Sequence, residues 1–284
     1  MEVIRAAVLG CCAGVQSALQ KAESLLEKGD SSVFSFGPLI HNDNALNDLY
    51  SRGLVCVNEA DLHQVSQVKN ASVIIRAHGI SPGQREKLVA TGAKIVDCTC
   101  PRVLLSQNKA AEFAEKGYTV ILAGEKNHGE LTGIAGFCRS VILVENSRDA
   151  ENLPFVPEKA VLISQTTIAR EEFRRISETL SGIIPHLEVC NMICPATKER
   201  QDALRALSEL CDAVIVVGGK NSANTKRLFL SAQKLFRFSV CIENSSEIPR
   251  EFYGFNTVGI AAGASTPEKI IFEVENNLKK GINV

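Results

Sequence analysis

A chain of 284 residues with 45% hydrophobic content has ample material for a core, and room for one large domain or two to three small ones. A net charge of −1 without any basic run argues against a nucleic-acid partner, and the absence of Trp with only 5% aromatics leaves no base-stacking platform. No apolar stretch approaches the roughly 18 to 20 residues of a membrane span, so a membrane is not an expected partner either.

Val8-Leu9-Gly10-Cys11 looks like a lipoprotein cleavage box, preceded by the apolar stretch Ala6 to Gly10. It is shorter than the about 7 to 15 residues of a signal-peptide core, and it reads instead as a short first strand of a cytoplasmic protein. Ten cysteines in a cytosolic chain point to metal or redox chemistry before disulfides. Cys56, Cys138, Cys211 and Cys241 read as small core residues.

Three runs of β-formers end at cysteines: Ala6 to Cys12, Lys94 to Cys100, and His186 to Cys194. Cys12, Cys100 and Cys194 stand 88 and 94 residues apart. A helical pattern follows each, over Ala13 to Lys28, Pro101 to Lys116 and Pro195 to Leu210. Val15, Leu19, Ala22 and Leu26 keep one apolar face. Pro101 and Pro195 suit the first helical position, and Gly29 and Gly117 suit a helix C-terminus.

A second strand then closes on a polar turn: Val33 to Gly37 before His41, Thr119 to Gly124 before His128, and Ala213 to Gly218 before Asn221 and Ser222. A third strand closes on a second turn: Ser72 to Arg76 before His78, Ala160 to Ser164 before Thr166, and Thr257 to Ala261 before Ser265. Helices follow at Pro82 to Thr91, Ile168 to Leu180 and Pro267 to Lys279. The recurrence predicts an α/β protein of three similar units with parallel sheets, at 1–97, 98–190 and 191–284, the last carrying the C-terminal helix. Ligands of such sheets sit at the carboxyl ends of strands, where all these turns fall.

A cysteine at a helix N-terminus favours its thiolate. Within each pair the choice is open at this point: Cys11 or Cys12, Cys98 or Cys100, Cys190 or Cys194. Structural zinc uses local Cys-x2-4-Cys pairs, and only Cys190 and Cys194 fit that spacing. Three thiolates from distant units fit an iron–sulfur cubane with one open iron better, since a closed cluster takes four cysteines. His41, His78, His128, Thr166, Ser222, Asn224 and Ser265 add hydroxyl, amide and imidazole groups at the turns, a set able to bind an anion without a lysine cluster. Glu130 reads equally as a proton donor, its pKa raised in an enclosed anionic site, or as a first-turn residue favoured by the helix dipole.

At these residues the chain resembles the 4-hydroxy-3-methylbut-2-enyl diphosphate reductase family, of the last step of the non-mevalonate isoprenoid pathway. The stretches that carry the resemblance are Gly10-Cys11-Cys12-Ala13-Gly14-Val15, Gly37-Pro38-Leu39-Ile40-His41-Asn42, Arg76-Ala77-His78-Gly79, Thr99-Cys100-Pro101, His128-Gly129-Glu130, Gln165-Thr166-Thr167, Asn191-Met192-Ile193-Cys194 with Ala196-Thr197 and Arg200-Gln201, Lys220-Asn221-Ser222-Ala223-Asn224 and Ala262-Gly263-Ala264-Ser265. They run in order through nearly the whole chain.

The resemblance implies a [4Fe–4S] cluster on Cys12, Cys100 and Cys194, central to three units in pseudo-threefold arrangement. It implies that His41, His78, Ser222, Asn224 and Ser265 hold the diphosphate with His128 nearby, that Thr166 orients the substrate hydroxyl, and that Glu130 relays protons. The implied reaction is reductive dehydroxylation of the allylic diphosphate to isopentenyl and dimethylallyl diphosphate. The substrate hydroxyl would sit at the open iron, with a flavodoxin or ferredoxin as electron donor and a monomer as the working form. One departure stands out: the family's second serine in the phosphate turn is Ala223 here.

Overall fold

The computed structural model describes residues 1–29, 32–40 and 42–281. The strands of these residues form three parallel four-stranded sheets. One holds β2 (Val33–Phe36), β3 (Leu54–Val57), β4 (Ser72–Ile75) and β5 (Lys94–Asp97) in the order β3-β2-β4-β5. The next holds β6 (Thr119–Ala123), β7 (Val141–Val144), β8 (Lys159–Ser164) and β9 (His186–Cys190) in the order β7-β6-β8-β9. The last orders β11 (Phe238–Ile242), β10 (Ala213–Val217), β12 (Thr257–Ala262) and β1 (Glu2–Arg5). The strand order is the same each time, and in the last sheet the fourth strand comes from the start of the chain, with Glu2 opposite Thr257.

The helices repeat with the strands. Those after the first strand of each sheet are α2 (Asp43–Ser51), α6 (Gly129–Ala135) and α10 (Ala223–Leu235). Those after the third are α4 (Pro82–Ala90), α8 (Arg170–Ser181) and α11 (Glu268–Lys280). Those after the fourth strand and its cysteines are α1 (Ala13–Lys28), α5 (Pro101–Glu115) and α9 (Pro195–Leu207). Short α3 (Leu62–Ser66) and α7 (Ser147–Glu151) complete the set.

The chain divides into two compact units. The first comprises Met1–Ser24, Pro38–Leu54 and Pro195–Val284; the second comprises Leu25–Gly37 and Val55–Cys194. In the first, β10 is apolar at every position because both of its faces are covered. Ala213, Ile215 and Val217 enter one core with Ile271 and Val274 of α11, while Val214 and Val216 enter another with Leu204 and Leu207 of α9. In the second unit β6 and β8 do the same: Ile121 and Leu162 pack with Phe173 and Ile176 of α8, whereas Val120 and Val161 pack with Leu131 and Ile134 of α6.

Two features differ from the sequence reading. The first strand is Glu2–Arg5, and residues 6–12 run on as a loop. Ala6, Ala7 and Gly10 are weak strand formers, and Gly10 takes a φ of 78°, which ends any ladder. The edge strands β3, β7 and β11 lie inside stretches that the sequence reading leaves as connections, and that reading gives no extents for α2, α6 and α10, of which it touches only the first turn of α6 at Glu130. No helix of the described residues is long and apolar enough to cross a membrane.

Candidate functional site

The three sheets present the same turns. After each first strand comes a glycine with positive φ, namely Gly37, Gly124 and Gly218, at 72°, 153° and 154°. Each donates its N–H to the last residue of the edge strand, to Val57, Val144 and Ile242 respectively. After each third strand the chain closes a tight turn, with Gly79 N–H to Arg76 O, Ile168 to Gln165 and Thr266 to Gly263.

That equivalence separates the paired cysteines. Cys12 N–H donates to Ala264 O at 3.0 Å, Cys100 to Ala77 O at 3.0 Å, and Cys194 to Thr166 O at 2.8 Å. Each acceptor lies two residues past the end of its third strand. The three cysteines therefore hold one structural position, and all three are outside any disulfide and neither buried nor fully exposed. Their neighbours do not share it. Cys98 is buried and its N–H bonds Ile75 O, while Cys190 ends β9. Burial pushes the Cys11 thiol up to about 12, with Cys12 adding to the rise and Arg200 opposing it. Of the four cysteines assigned to cores, Cys138 and Cys211 pack against them, but all four are only partly buried.

In the second unit the turns assemble a carboxylate network. Glu130, in the first turn of α6, is 1% exposed. Its Oε1 accepts the Thr166 backbone N–H and its Oε2 accepts the Thr166 hydroxyl, both at 2.7 Å. Thr166 thus connects two groups through three of its own atoms: its carbonyl holds the Cys194 N–H while its N–H and hydroxyl hold Glu130. His128 caps α6, its Nδ1 accepting the Glu130 N–H at 3.2 Å. A neutral ring accepting at Nδ1 carries its proton on Nε2, as a donor. The His78 ring stands edge-on to it at 4.9 Å between centroids.

In the first unit Ser222 caps α10, its hydroxyl accepting the Thr225 N–H at 3.4 Å. Ala223 and Asn224 open the helix, and Ser222, Ala223 and Ser265 are buried. A side chain at Gly263 would collide with Thr225 Oγ1, so the Ser265 turn and the start of α10 lie against each other. Asn224 Nδ2 and Thr225 Oγ1 are buried without a hydrogen-bond partner among the described residues. Orphaned polar atoms beside a helix N-terminus are what an anion site looks like without its ligand. His41 lies outside the described residues; Asn42, which follows it, caps α2 by accepting the Ala45 N–H at 3.1 Å.

Two supporting residues carried no assigned role. Arg200, 4% exposed, donates Nη2–H to Gly10 O at 2.6 Å and Nη1–H to Ala196 O at 2.9 Å, bracing the loop that ends at Cys12. Its signal was a charge within the buried stripe Thr197, Ala203, Leu204 and Leu207 of α9. Gln165 is fully buried, and its Oε1 accepts the Glu125 N–H at 3.1 Å, tying the turn after β8 to that after β6. Among the described residues no three His, Cys, Asp or Glu side chains gather as ligands of a single metal ion.

Comparison with known proteins places these turns in a wider set. A family model described as LytB protein matches residues 3–279. A Treponema denticola protein named 4-hydroxy-3-methylbut-2-enyl diphosphate reductase is 42% identical over 290 residues, covering 99% of this chain and all of that one. A Caldanaerobacter subterraneus protein of the same name is 39% identical, covering 98% and 97%. The solved structure of the E-1-hydroxy-2-methyl-but-2-enyl-4-diphosphate reductase from Plasmodium falciparum superposes with a TM-score of 0.88 at 30% identity, covering 97% of this chain and 87% of that one. A solved (E)-4-hydroxy-3-methyl-but-2-enyl diphosphate reductase, described as the terminal enzyme of the non-mevalonate pathway, gives 0.73 at 35% identity, covering 99% and 100%.

Proposed function

The chain belongs to the LytB protein family, and we propose that it reduces 4-hydroxy-3-methylbut-2-enyl diphosphate to isopentenyl and dimethylallyl diphosphate in the cytoplasm. The observation that carries this reading is the network through Thr166, in which one residue holds a cysteine N–H on one side and a buried carboxylate on the other. The reaction replaces a C–O bond by a C–H bond. It consumes two electrons and two protons and releases one water, so it needs an electron relay and a protein acid near the substrate oxygen.

Cys12, Cys100 and Cys194 fit the relay. They are thiols at one repeated structural position, each ahead of a helix, and three of them leave a fourth ligand place open. When bound there, a [4Fe–4S] cluster would supply the electrons one at a time and a Lewis-acidic iron for the substrate hydroxyl. Thr166 Oγ1 orients that hydroxyl, and Glu130 passes a proton through Thr166 to the departing oxygen. The second proton goes to either end of the allylic carbon skeleton, which accounts for two products. His128 Nε2–H, His78, Ser222, Asn224, Ser265 and His41 hold the diphosphate and keep it from leaving in place of the hydroxyl.

The same reading assigns a flavodoxin- or ferredoxin-type electron donor and a monomeric working form. It also takes the chain as three repeats, 1–97, 98–190 and 191–284. The shared strand order supports that division, with β1 as the strand passed from the first stretch to the last sheet. An anaerobic assay of reconstituted protein with reduced viologen dye and the allylic diphosphate tests the function. Turnover to the two products is expected; an iron-loaded protein without turnover would mean a sensor that has kept the family's fold.

Ala223 gives a finer test. The position is buried at the start of α10, beside the orphaned Asn224 Nδ2. One extra hydroxyl there adds one hydrogen bond to the diphosphate, about 1 kcal/mol. Ala223→Ser is expected to lower KM about fivefold with kcat unchanged. An unchanged KM would show that the lost hydroxyl cost this chain nothing.

A further inference from the structure

The turn after β4 opens with Arg76, at the backbone position that Gln165 holds after β8 and Gly263 after β12. The guanidinium is seated between two glycines. Nη1 lies 2.6 Å from where a Cβ on Gly37 would stand, and Nη2 would overlap a Cβ on Gly129. Gly129 joins His128 to Glu130, and His78 is two residues beyond Arg76, its ring against that of His128. The Nε is buried without a hydrogen-bond partner, and among the described residues no carboxylate pairs with the guanidinium. Glu130, close along the chain, turns its two oxygens to Thr166 instead. Burial lowers the Arg76 pKa, with only Cys56 opposing.

Packing alone does not call for this charge. Gln165 performs the equivalent contact against Gly124, its Oε1 2.5 Å from a Cβ placed there, and it does so as a neutral side chain with its carbonyl satisfied. An enclosed cation without a counter-charge is costly to keep. The cost is offset when an anion arrives beside it.

We propose that Arg76 is the fixed positive charge of the diphosphate site, seated by Gly37 and Gly129 beside the His78 and His128 imidazoles and balanced by the bound anion. The proposal rests on the diphosphate reading above, but not on turnover. It accounts for how a site built from imidazoles, hydroxyls and amides holds a highly charged group without a lysine cluster. It also gives Gly129 a function, since any side chain there would displace the guanidinium from its seat.

The test is calorimetric binding of inorganic pyrophosphate to the purified full chain, with melting curves in its presence and absence. Arg76→Gln, the residue used at the equivalent turn, is expected to weaken pyrophosphate binding at least about tenfold. Its melting temperature without ligand should match or exceed the wild type, because a half-buried charge with no carboxylate partner among the described residues has gone, while the upward shift caused by pyrophosphate should disappear. Wild-type binding should also fall more steeply with salt than that of the variant. Unchanged affinity in Arg76→Gln, or wild-type protein that does not bind pyrophosphate, overturns the proposal. If the Gln variant does not fold, Arg76→Lys decides: affinity within about threefold of wild type supports a charge role, and a tenfold loss overturns it. Wild-type protein that binds pyrophosphate but does not reduce the allylic substrate would sink the reductase reading and leave the assignment of Arg76 intact.

Discussion

Glu130→Gln is expected to lower kcat about 10²- to 10⁴-fold, the usual worth of a positioned proton donor, while leaving the fold and pyrophosphate binding close to wild type. The substitution is nearly isosteric. The amide oxygen can still accept the Thr166 N–H that now reaches Oε1 at 2.7 Å. The amide nitrogen would face Thr166 Oγ1, where the carboxylate now accepts at 2.7 Å, and the hydroxyl can turn to accept instead of donate. The network therefore stays closed, but its proton no longer moves. The competing role, a first-turn acid stabilising α6 through the helix dipole, is worth at most about 1 kcal/mol and would appear in the melting curve rather than in kcat. Steady-state kinetics under anaerobic conditions separates the two. A variant that turns over within a few-fold of wild type, with a lowered melting temperature, would reduce Glu130 to a first-turn helix residue. Thr166→Val should reproduce part of the effect, since it removes the hydroxyl that connects the carboxylate to substrate while keeping the backbone bonds to Glu130 and Cys194.

Why those residues could be found from sequence, and others not, follows from the range of the forces that place them. The turns bearing His78, Thr166 and Ser265 follow runs such as Ser72 to Ile75 and Thr257 to Ala262, whose β-forming composition and glycine or polar endings are local signals. Gly37, Gly124 and Gly218 mark the first turns equally plainly, and each takes positive φ. The parallel α/β class follows from the alternation alone. By contrast, β1 is fixed by pairing with β12 some 250 residues away, and nothing within Glu2–Arg5 announces that partner. The eye goes instead to Ala6 to Gly10, a longer apolar run that turns out to be loop. The edge strands β3 and β7 are four residues each, too short for a period to show. Arg200 and Gln165 act by reaching backbone atoms 190 and 40 residues away, so their types hint at a role without naming the target. The choice of Cys12, Cys100 and Cys194 within their pairs rested on resemblance. The backbone bonds to Ala264, Ala77 and Thr166 set the same three apart from Cys11, Cys98 and Cys190 by position alone.

That distinction carries the second large expectation. Cys12→Ser, Cys100→Ser and Cys194→Ser are each expected to lose most of the iron and sulfide after reconstitution, and turnover with them by more than about 10²-fold. Cys11→Ser, Cys98→Ser and Cys190→Ser should retain both. The argument is geometric. The first three side chains leave the backbone from one repeated position, fixed by an N–H bond to the turn after the third strand, so the three sheets offer them alike. Cys98 is buried two residues before Cys100, and burial raises the pKa of the Cys11 and Cys190 thiols. Oxygen for sulfur is a small change in volume, so a folded serine variant that has lost iron reports on ligation rather than on packing. Iron analysis and visible absorbance read the result without any substrate. If iron followed the wrong three cysteines, the equivalence of the turns would be an architectural echo with no bearing on ligation. If all six variants kept zinc and no sulfide, the open-iron chemistry would have to be abandoned together with the proton path that serves it.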